Sequence, residues 1–189
     1  MKNGKILIIA PPRSGTGYAS RCMVDVGFDV GHERLNENGI SSWLWAVDCY
    51  DDARWGHNYQ NIKPDLTIML LRRPEDIIAS LAFSAERAID WMAKYVEVKG
   101  NTPVERASYA VLGWIKKCLE RKPDFLVTLD DLPAFCNEMF GKFPDESLRG
   151  YNARKHRILT HNEMLKIQDN VFKIRAMIKE WYSNEKFTR

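Results

Sequence analysis

Two short runs of almost wholly apolar, β-favouring residues constrain the fold of this chain most strongly. Residues 5–10 read KILIIA and residues 66–71 read LTIMLL, and polar residues or prolines follow each run. A strand with one solvent-exposed face alternates apolar and polar side chains, whereas a strand buried on both faces is apolar throughout. Both runs therefore predict central strands of a parallel sheet.

Helical patterns alternate with these strands, which is typical of an α/β fold with helices on both faces of the sheet. The helix boundaries follow from apolar spacing, from prolines at first helical positions and from two capping boxes. We predict a three-layer, mostly parallel central sheet in one domain spanning residues 1–189. The predicted elements are strand 5–10, helix 16–26, strand 28–31, a helix near 41–51 within a polar insertion 34–63, strand 66–71, helix 74–96, helix 102–122, strand 125–129, helix 133–140 and a terminal helix opening at 160.

The charge balance of the chain limits the classes of ligand that we expect it to bind. Its 28 basic and 25 acidic residues are interleaved and give a net charge of +3, which favours a small anion over nucleic acid or a membrane surface. The four cysteines, at positions 22, 49, 118 and 136, lack the spacing of a metal site. No signal peptide or membrane span is evident, so we expect a cytoplasmic protein with reduced cysteines.

The loop after the first strand carries the strongest chemical signal. It reads Pro-Pro-Arg-Ser-Gly-Thr-Gly over residues 11–17 and leads into a predicted helix. Gly15 and Gly17 allow close approach of the backbone, and the first amides of a helix favour an anion. Arg13 adds positive charge, so the loop is a predicted phosphate site. The alternative is an ordinary strand-to-helix turn in which Ser14 or Thr16 caps the helix.

Two further cations stand between a strand and a helix. Arg72 and Arg73 follow the strand 66–71 and directly precede Pro74. Positive charge at a helix amino terminus is unfavourable unless an anion is present, so this pair also points to an anionic ligand. A surface ion pair with Glu75 or Asp76 is the alternative.

Together these segments resemble two motifs of the sulfotransferases that use PAPS. The loop followed by Tyr18 is similar to their 5′-phosphosulfate loop, with Arg13 where many members have lysine, and residues 72–80 (RRPEDIIAS) are similar to their 3′-phosphate segment. Residues 125–132 give a weaker third match, and the family's later Arg-Lys-Gly signature is not found. The resemblance implies a P-loop nucleotide-binding fold, with PAPS as donor and adenosine 3′,5′-bisphosphate as product. It implies these donor ligands: Pro12, Arg13, Ser14, Gly15, Thr16, Gly17, Tyr18, Arg72 and Ser80.

The implied reaction moves a sulfuryl group to a hydroxyl or amine of a small-molecule or carbohydrate acceptor, without a metal. Arg13 would stabilise the departing phosphate, and a general base is needed. A helix over residues 16–26 followed by an extended return brings His32 and Glu33 back to the loop. Glu33 is the first choice of base and His32 the second. Alternatively, the two side chains only cap or pair locally.

Two other functions, and two ways of packing the terminal helix, remain open. A P-loop kinase or hydrolase would use Asp130 or Asp131 to hold magnesium, although the loop lacks the lysine of the GxxxxGK[ST] pattern. A catalytically silent phosphonucleotide-binding protein is the other rival. The apolar stripe of the terminal helix predicts packing on the chain's own sheet or a homodimer contact; its members are Met164, Ile167, Val171, Ile174, Ile178 and Trp181.

Overall fold

The computed structural model describes residues 4–47, 63–150 and 157–184. Strands and helices alternate over much of this length, as the apolar pattern predicts. The strands are β1 (Ile6–Ile9), β2 (Val30–His32), β3 (Gly39–Ser41), β4 (Leu66–Leu71) and β5 (Phe125–Thr128), and the helices are α1 (Thr16–Asp25), α2 (Pro74–Ser84), α3 (Glu86–Met92), α4 (Pro103–Glu120), α5 (Leu132–Phe140) and α6 (His161–Asn184).

The five strands of the described chain form one sheet in the order β2-β3-β1-β4-β5. Every neighbouring pair is parallel, so all strands end at the same edge. β1 lies in the middle, with β3 on one side and β4 on the other. The prediction of an α/β fold with a parallel central sheet is confirmed.

The chain divides into two compact units. The first, Met1–Arg72 with Arg121–Lys155, contains the whole sheet together with α1 and α5. The second, Arg73–Glu120 with His156–Arg189, is helical in its described part and contains α2, α3, α4 and α6.

The hydrophobic core of the sheet unit explains why the apolar runs form strands. One face of the sheet, including Ile8 and Ile68, packs with Cys22 of α1 and Cys136 of α5. Side chains of the other face, such as Ile9, are also fully buried. Each such aliphatic side chain contributes about 1.5–3 kcal/mol by leaving water, so strands buried on both faces must be apolar at every position.

β2 and β3 are parallel neighbours joined only by residues 33–38. Parallel strands ordinarily need a connection of about a dozen residues or more. Here both strands have three residues, so six residues suffice for the return. Asp29 holds the turn, because its carboxylate accepts from the Asn36 side chain at 2.7 Å and from the Glu37 amide at 3.3 Å.

The helical unit explains the apolar stripe of the terminal helix. α6 packs on α4 and α2 of its own chain, and its residues Ile167, Val171 and Ile174 are buried. The Asn170 side chain donates to the Ser108 hydroxyl of α4 at 2.9 Å inside this interface. The predicted packing on the sheet is thus replaced by packing on helices, and the homodimer stays a prediction. In the described residues no helix combines the length and apolarity needed to cross a bilayer.

Three sequence predictions need correction. The helix predicted near residues 41–51 is wrong over residues 41–47, where β3 ends at Ser41 and one 3₁₀ turn spans Leu44–Ala46; residues 48–51 lie outside the described chain. The predicted helix 74–96 is two helices, because Ala85 leaves the helical region at φ −150° and ψ 41°. The strand predicted at 28–31 begins at Val30 and ends at His32.

Gly39 is required where β3 passes β1. Its φ of +135° is unfavourable for other residues, and an added Cβ would lie 1.9 Å from the Ile6 carbonyl oxygen. We expect Gly39→Ala to lower the free energy of unfolding by about 3 kcal/mol, because backbone strain and a main-chain clash add. Gly27→Ala is the matched control, since Gly27 has φ +99° and open space around it, and should lose only about 1 kcal/mol. Urea denaturation measures both values, and equal losses would contradict the clash.

Candidate functional site

The loop between β1 and α1 has an unusual backbone. Arg13 adopts φ +72° and Gly15 adopts φ +93°, both in the left-handed region. A non-glycine residue pays about 1–2 kcal/mol there, and such strain concentrates at functional sites. Gly15 also has no room for a side chain, because an added Cβ would lie 2.6 Å from a methyl carbon of Leu129. The loop is therefore held in a shape that an ordinary connection does not need.

The amino terminus of α1 opens directly from this loop. Its N-cap is Gly15, no side chain caps it, and no acidic residue stands in its first turn. The alternative in which Ser14 or Thr16 caps the helix is therefore wrong. The Ser14 hydroxyl is fully buried and has no hydrogen-bond partner among the described residues. A buried hydroxyl without a partner costs about 1–3 kcal/mol, so this position fits a polar ligand.

Arg72 reaches the same loop from the end of β4. Its Nη1 donates to the carbonyl oxygen of Arg13 at 3.1 Å, and its side chain is partly buried. β1 and β4 are paired neighbours, so the parallel register brings residues after both strands to one place. The structure thus brings Arg13 and Arg72 together, as a single ligand touching both would require.

His32 meets the beginning of α1 from the end of β2. Its Nε2 lies 3.1 Å from the Thr16 hydroxyl, so the predicted reach of this residue to the loop is confirmed. Partial burial lowers the pKa of His32, whose side chain is 42% exposed, because desolvation penalises the imidazolium. Ser41 adds a second link between sheet and helix by donating to the Thr16 carbonyl at 2.8 Å. Because its pKa is lowered, the His32 imidazole is mostly neutral at pH 7.

Glu33 follows His32 and is the most perturbed acid in the site. Its φ is +53°, and its amide donates to the Ser41 carbonyl at 3.1 Å. Its Oε2 accepts from the Ser42 hydroxyl at 2.5 Å, and the Trp43 amide also donates to the carboxyl. Its Oε1 is buried, has no hydrogen bond from the described residues and lies 3.7 Å from His32 Nε2.

Burial raises the pKa of Glu33 to about 7, and the donors Ser42 and Trp43 offset only part of this rise. A carboxyl that titrates near neutral pH can accept and release a proton under working conditions. Glu33 and His32 do pair locally, as the alternative interpretation expected. The pair nevertheless stands beside the loop 11–17 and the beginning of α1, so its position is compatible with acid–base chemistry there.

Ser41 and Ser42 are site residues that the sequence interpretation missed. Both are buried, and both contact groups of the predicted site. They were hidden because β3 has only three residues, and residues 41 and 42 stand at the start of the predicted helix 41–51. The usable signal was the Gly-Ile-Ser-Ser segment at residues 39–42, a short apolar stretch followed by polar residues.

Four further predicted ligands lie in the loop or in helices. Pro12 and Gly17 are buried in the loop and in α1, and Tyr18 packs against the core of the sheet unit. Ser80 is fully buried in α2 of the helical unit and stays a predicted ligand.

Asp131, the second of the two aspartates after β5, makes hydrogen bonds within its own turn. The Asp131 carboxylate accepts from the Thr128 hydroxyl at 2.6 Å, while the Asp131 amide donates back to that hydroxyl at 3.1 Å. This turn immediately precedes α5. Within the described ranges, no three His, Cys, Asp or Glu residues gather as a metal site.

No family model and no curated protein matches the chain. The loop, Arg72 and the amino terminus of α1 offer donors to an anion, while Glu33 and His32 offer proton acceptors beside it.

Replacing the Glu33 carboxyl should change how stability depends on pH. Because its pKa is about 7 when folded and 4.5 otherwise, the folded state binds the proton more tightly, and its stability falls as pH rises from about 4.5 through 7. We expect Glu33→Gln to remove this fall. The free energy of unfolding of Glu33→Gln, taken relative to that of the parent, should be about 3 kcal/mol higher at pH 8.5 than at pH 4.5. Chemical denaturation across this range measures the gain.

The matched control is Glu37→Gln, which changes an exposed glutamate on the same connection. It should leave the pH dependence of the parent in place. Parallel curves for the parent and Glu33→Gln would mean that Glu33 is not held in a desolvated position.

Proposed function

We propose that this protein is a sulfotransferase that moves a sulfuryl group from PAPS to a hydroxyl or amine acceptor. The observation that carries the proposal is the hydrogen bond from the Arg72 guanidinium to the Arg13 carbonyl. It joins the two segments whose sequences resemble the 5′- and 3′-phosphate motifs of that family. One nucleotide with two phosphate groups accounts for both segments at once.

The residues around the loop fit the 5′ side of such a donor. The uncapped amino terminus of α1 and the partnerless Ser14 hydroxyl offer hydrogen bonds to an anion, and Arg13 adds charge. The loop also follows β1, the strand at which the order of the strands changes direction. The chain first adds β2 and β3 on one side of β1 and then adds β4 and β5 on the other side. Ligands of parallel α/β sheets bind at such a point, which supports a three-layer fold of the P-loop nucleotide-binding type.

The proposed chemistry depends on positioning and electrostatics. PAPS supplies the sulfuryl group, whose bond to the 5′-phosphate breaks as a bond to the acceptor oxygen or nitrogen forms. Glu33 takes the acceptor's proton, and its pKa of about 7 leaves about half of the carboxyl ionised at neutral pH. Arg13, Thr16 and the loop amides stabilise the negative charge left on the phosphate, while Arg72 holds the 3′-phosphate. Ser80 stays the further ligand that the resemblance implies. His32, neutral beside Thr16, is the second candidate base.

Binding of the product nucleotide tests the proposal most directly. We expect adenosine 3′,5′-bisphosphate to raise the melting temperature of the parent with concentration, and ATP with magnesium to do so much less. Arg72→Ala should weaken the affinity about 10- to 100-fold, because a charge-assisted contact to phosphate is lost. Arg73→Ala is the matched control; it removes the neighbouring exposed cation and should change affinity less than about threefold. A preference for ATP with magnesium would instead support the kinase or hydrolase alternative.

Turnover separates an enzyme from a silent binding protein. With labelled PAPS and a panel of alcohols, sugars and amines, Glu33→Gln should lower the rate of sulfate transfer about 10²- to 10⁴-fold, the usual worth of a positioned base. Its affinity for adenosine 3′,5′-bisphosphate should stay that of the parent. His32→Ala is measured beside Glu33→Gln. A larger loss of sulfate transfer in His32→Ala would make His32 the base in place of Glu33. Tight nucleotide binding without transfer to any acceptor would favour the silent protein.

A further inference from the structure

Ser42 occupies a fixed position at the end of β3. Its amide donates to the Ile8 carbonyl of β1 at 2.9 Å, and its side chain is almost fully buried. Its hydroxyl oxygen accepts from the Leu44 amide at 3.2 Å. The hydroxyl proton is thereby directed toward the Glu33 Oε2 atom, 2.5 Å away. A short chain of hydrogen bonds thus runs from the main chain through Ser42 to the carboxyl.

The two oxygens of the Glu33 carboxyl have different surroundings. Oε2 is occupied by Ser42, whereas Oε1 has no hydrogen bond and lies 3.7 Å from His32 Nε2. His32 is the titratable group that faces this carboxyl within the described chain, and it comes from β2. The contacts from the segment after β3, Ser42 and the Trp43 amide, are uncharged.

We infer that Ser42 is a positioning residue that holds the Glu33 carboxylate through Oε2, an inference that rests on the proposed function. The left-handed backbone of Glu33 makes this restraint necessary, because strained positions persist only where their surroundings hold them. Ser42 touches neither donor nor acceptor in this scheme. It sets the orientation and the basicity of the group that does.

Removing the hydroxyl has a consequence that a merely structural role would not have. Ser42→Ala takes a donor from the ionised carboxylate, so the pKa of Glu33 should rise by about one more pH unit. The rate of sulfuryl transfer at pH 7 should fall about fivefold and should recover by about pH 9, because a higher pH is then needed to ionise the Glu33 carboxyl. The KM for PAPS should not change, while kcat at pH 7 falls.

Direct titration of Glu33 separates this inference from the proposed function. NMR of protein labelled with ¹³C at the glutamate carboxyl follows Glu33, whose signal is identified by its loss in Glu33→Gln. We expect the Ser42→Ala titration to move upward and the Ser42→Thr titration to match the parent, since threonine keeps the hydroxyl. Ser42→Cys, a similar volume with a weak donor, should move in the same direction as alanine and serves if the alanine variant does not fold.

Ser20→Ala is the matched control, because it deletes a buried hydroxyl that donates to the Val30 carbonyl at 2.7 Å and not to the carboxyl. It should lower stability without moving the Glu33 titration. An unchanged titration in both Ser42→Ala and Ser42→Cys overturns the inference. A titration that moves in a protein that transfers no sulfate overturns the proposed function and leaves the positioning of Glu33 standing.

Discussion

The pairing of β1 with β3 on one side and β4 on the other is the interaction on which the site depends. Parallel register brings the residues after all three strands to one edge, where backbone hydrogen bonds fix their relative heights. The loop 11–17, Ser42 and Arg72 therefore lie at one edge of the sheet although they are far apart in sequence. Apolar side chains on both faces of the strands stabilise this arrangement.

Two non-glycine residues with left-handed backbones stand at this edge. Arg13 lies in the loop after β1, and Glu33 lies in the tight connection after β2. Each conformation costs about 1–3 kcal/mol and persists because the surrounding contacts outweigh it. For Arg13 these include the hydrogen bond from Arg72, and for Glu33 they include the bonds to Ser41 and Ser42. These contacts bring the loop over residues 11–17 and a desolvated acid close together.

The same edge combines opposite electrostatic requirements. Cations and helix amides favour a bound anion, whereas burial of Glu33 favours its neutral form. Desolvation is the larger influence on the carboxyl and brings its pKa to about 7, and the Ser42 and Trp43 donors prevent a higher value. His32, which burial keeps mostly neutral, adds little charge to this balance. A base that titrates near neutral pH results from these opposing influences.

The sequence by itself determined the α/β class, and it determined that the loop 11–17, the cations after β4 and the pair His32–Glu33 follow strands, because each depends on local composition and on the order of elements. Both capping boxes were also predictable; Thr102 and Thr160 exchange hydrogen bonds with Glu105 and Glu163 as expected. Only the tertiary structure decided that residues 39–41 form a strand, that Ser42 holds Glu33 and that Arg72 bonds to Arg13. A three-residue strand has too few positions to display a period, and contacts between segments distant in sequence arise from strand order and register, which local pattern does not encode.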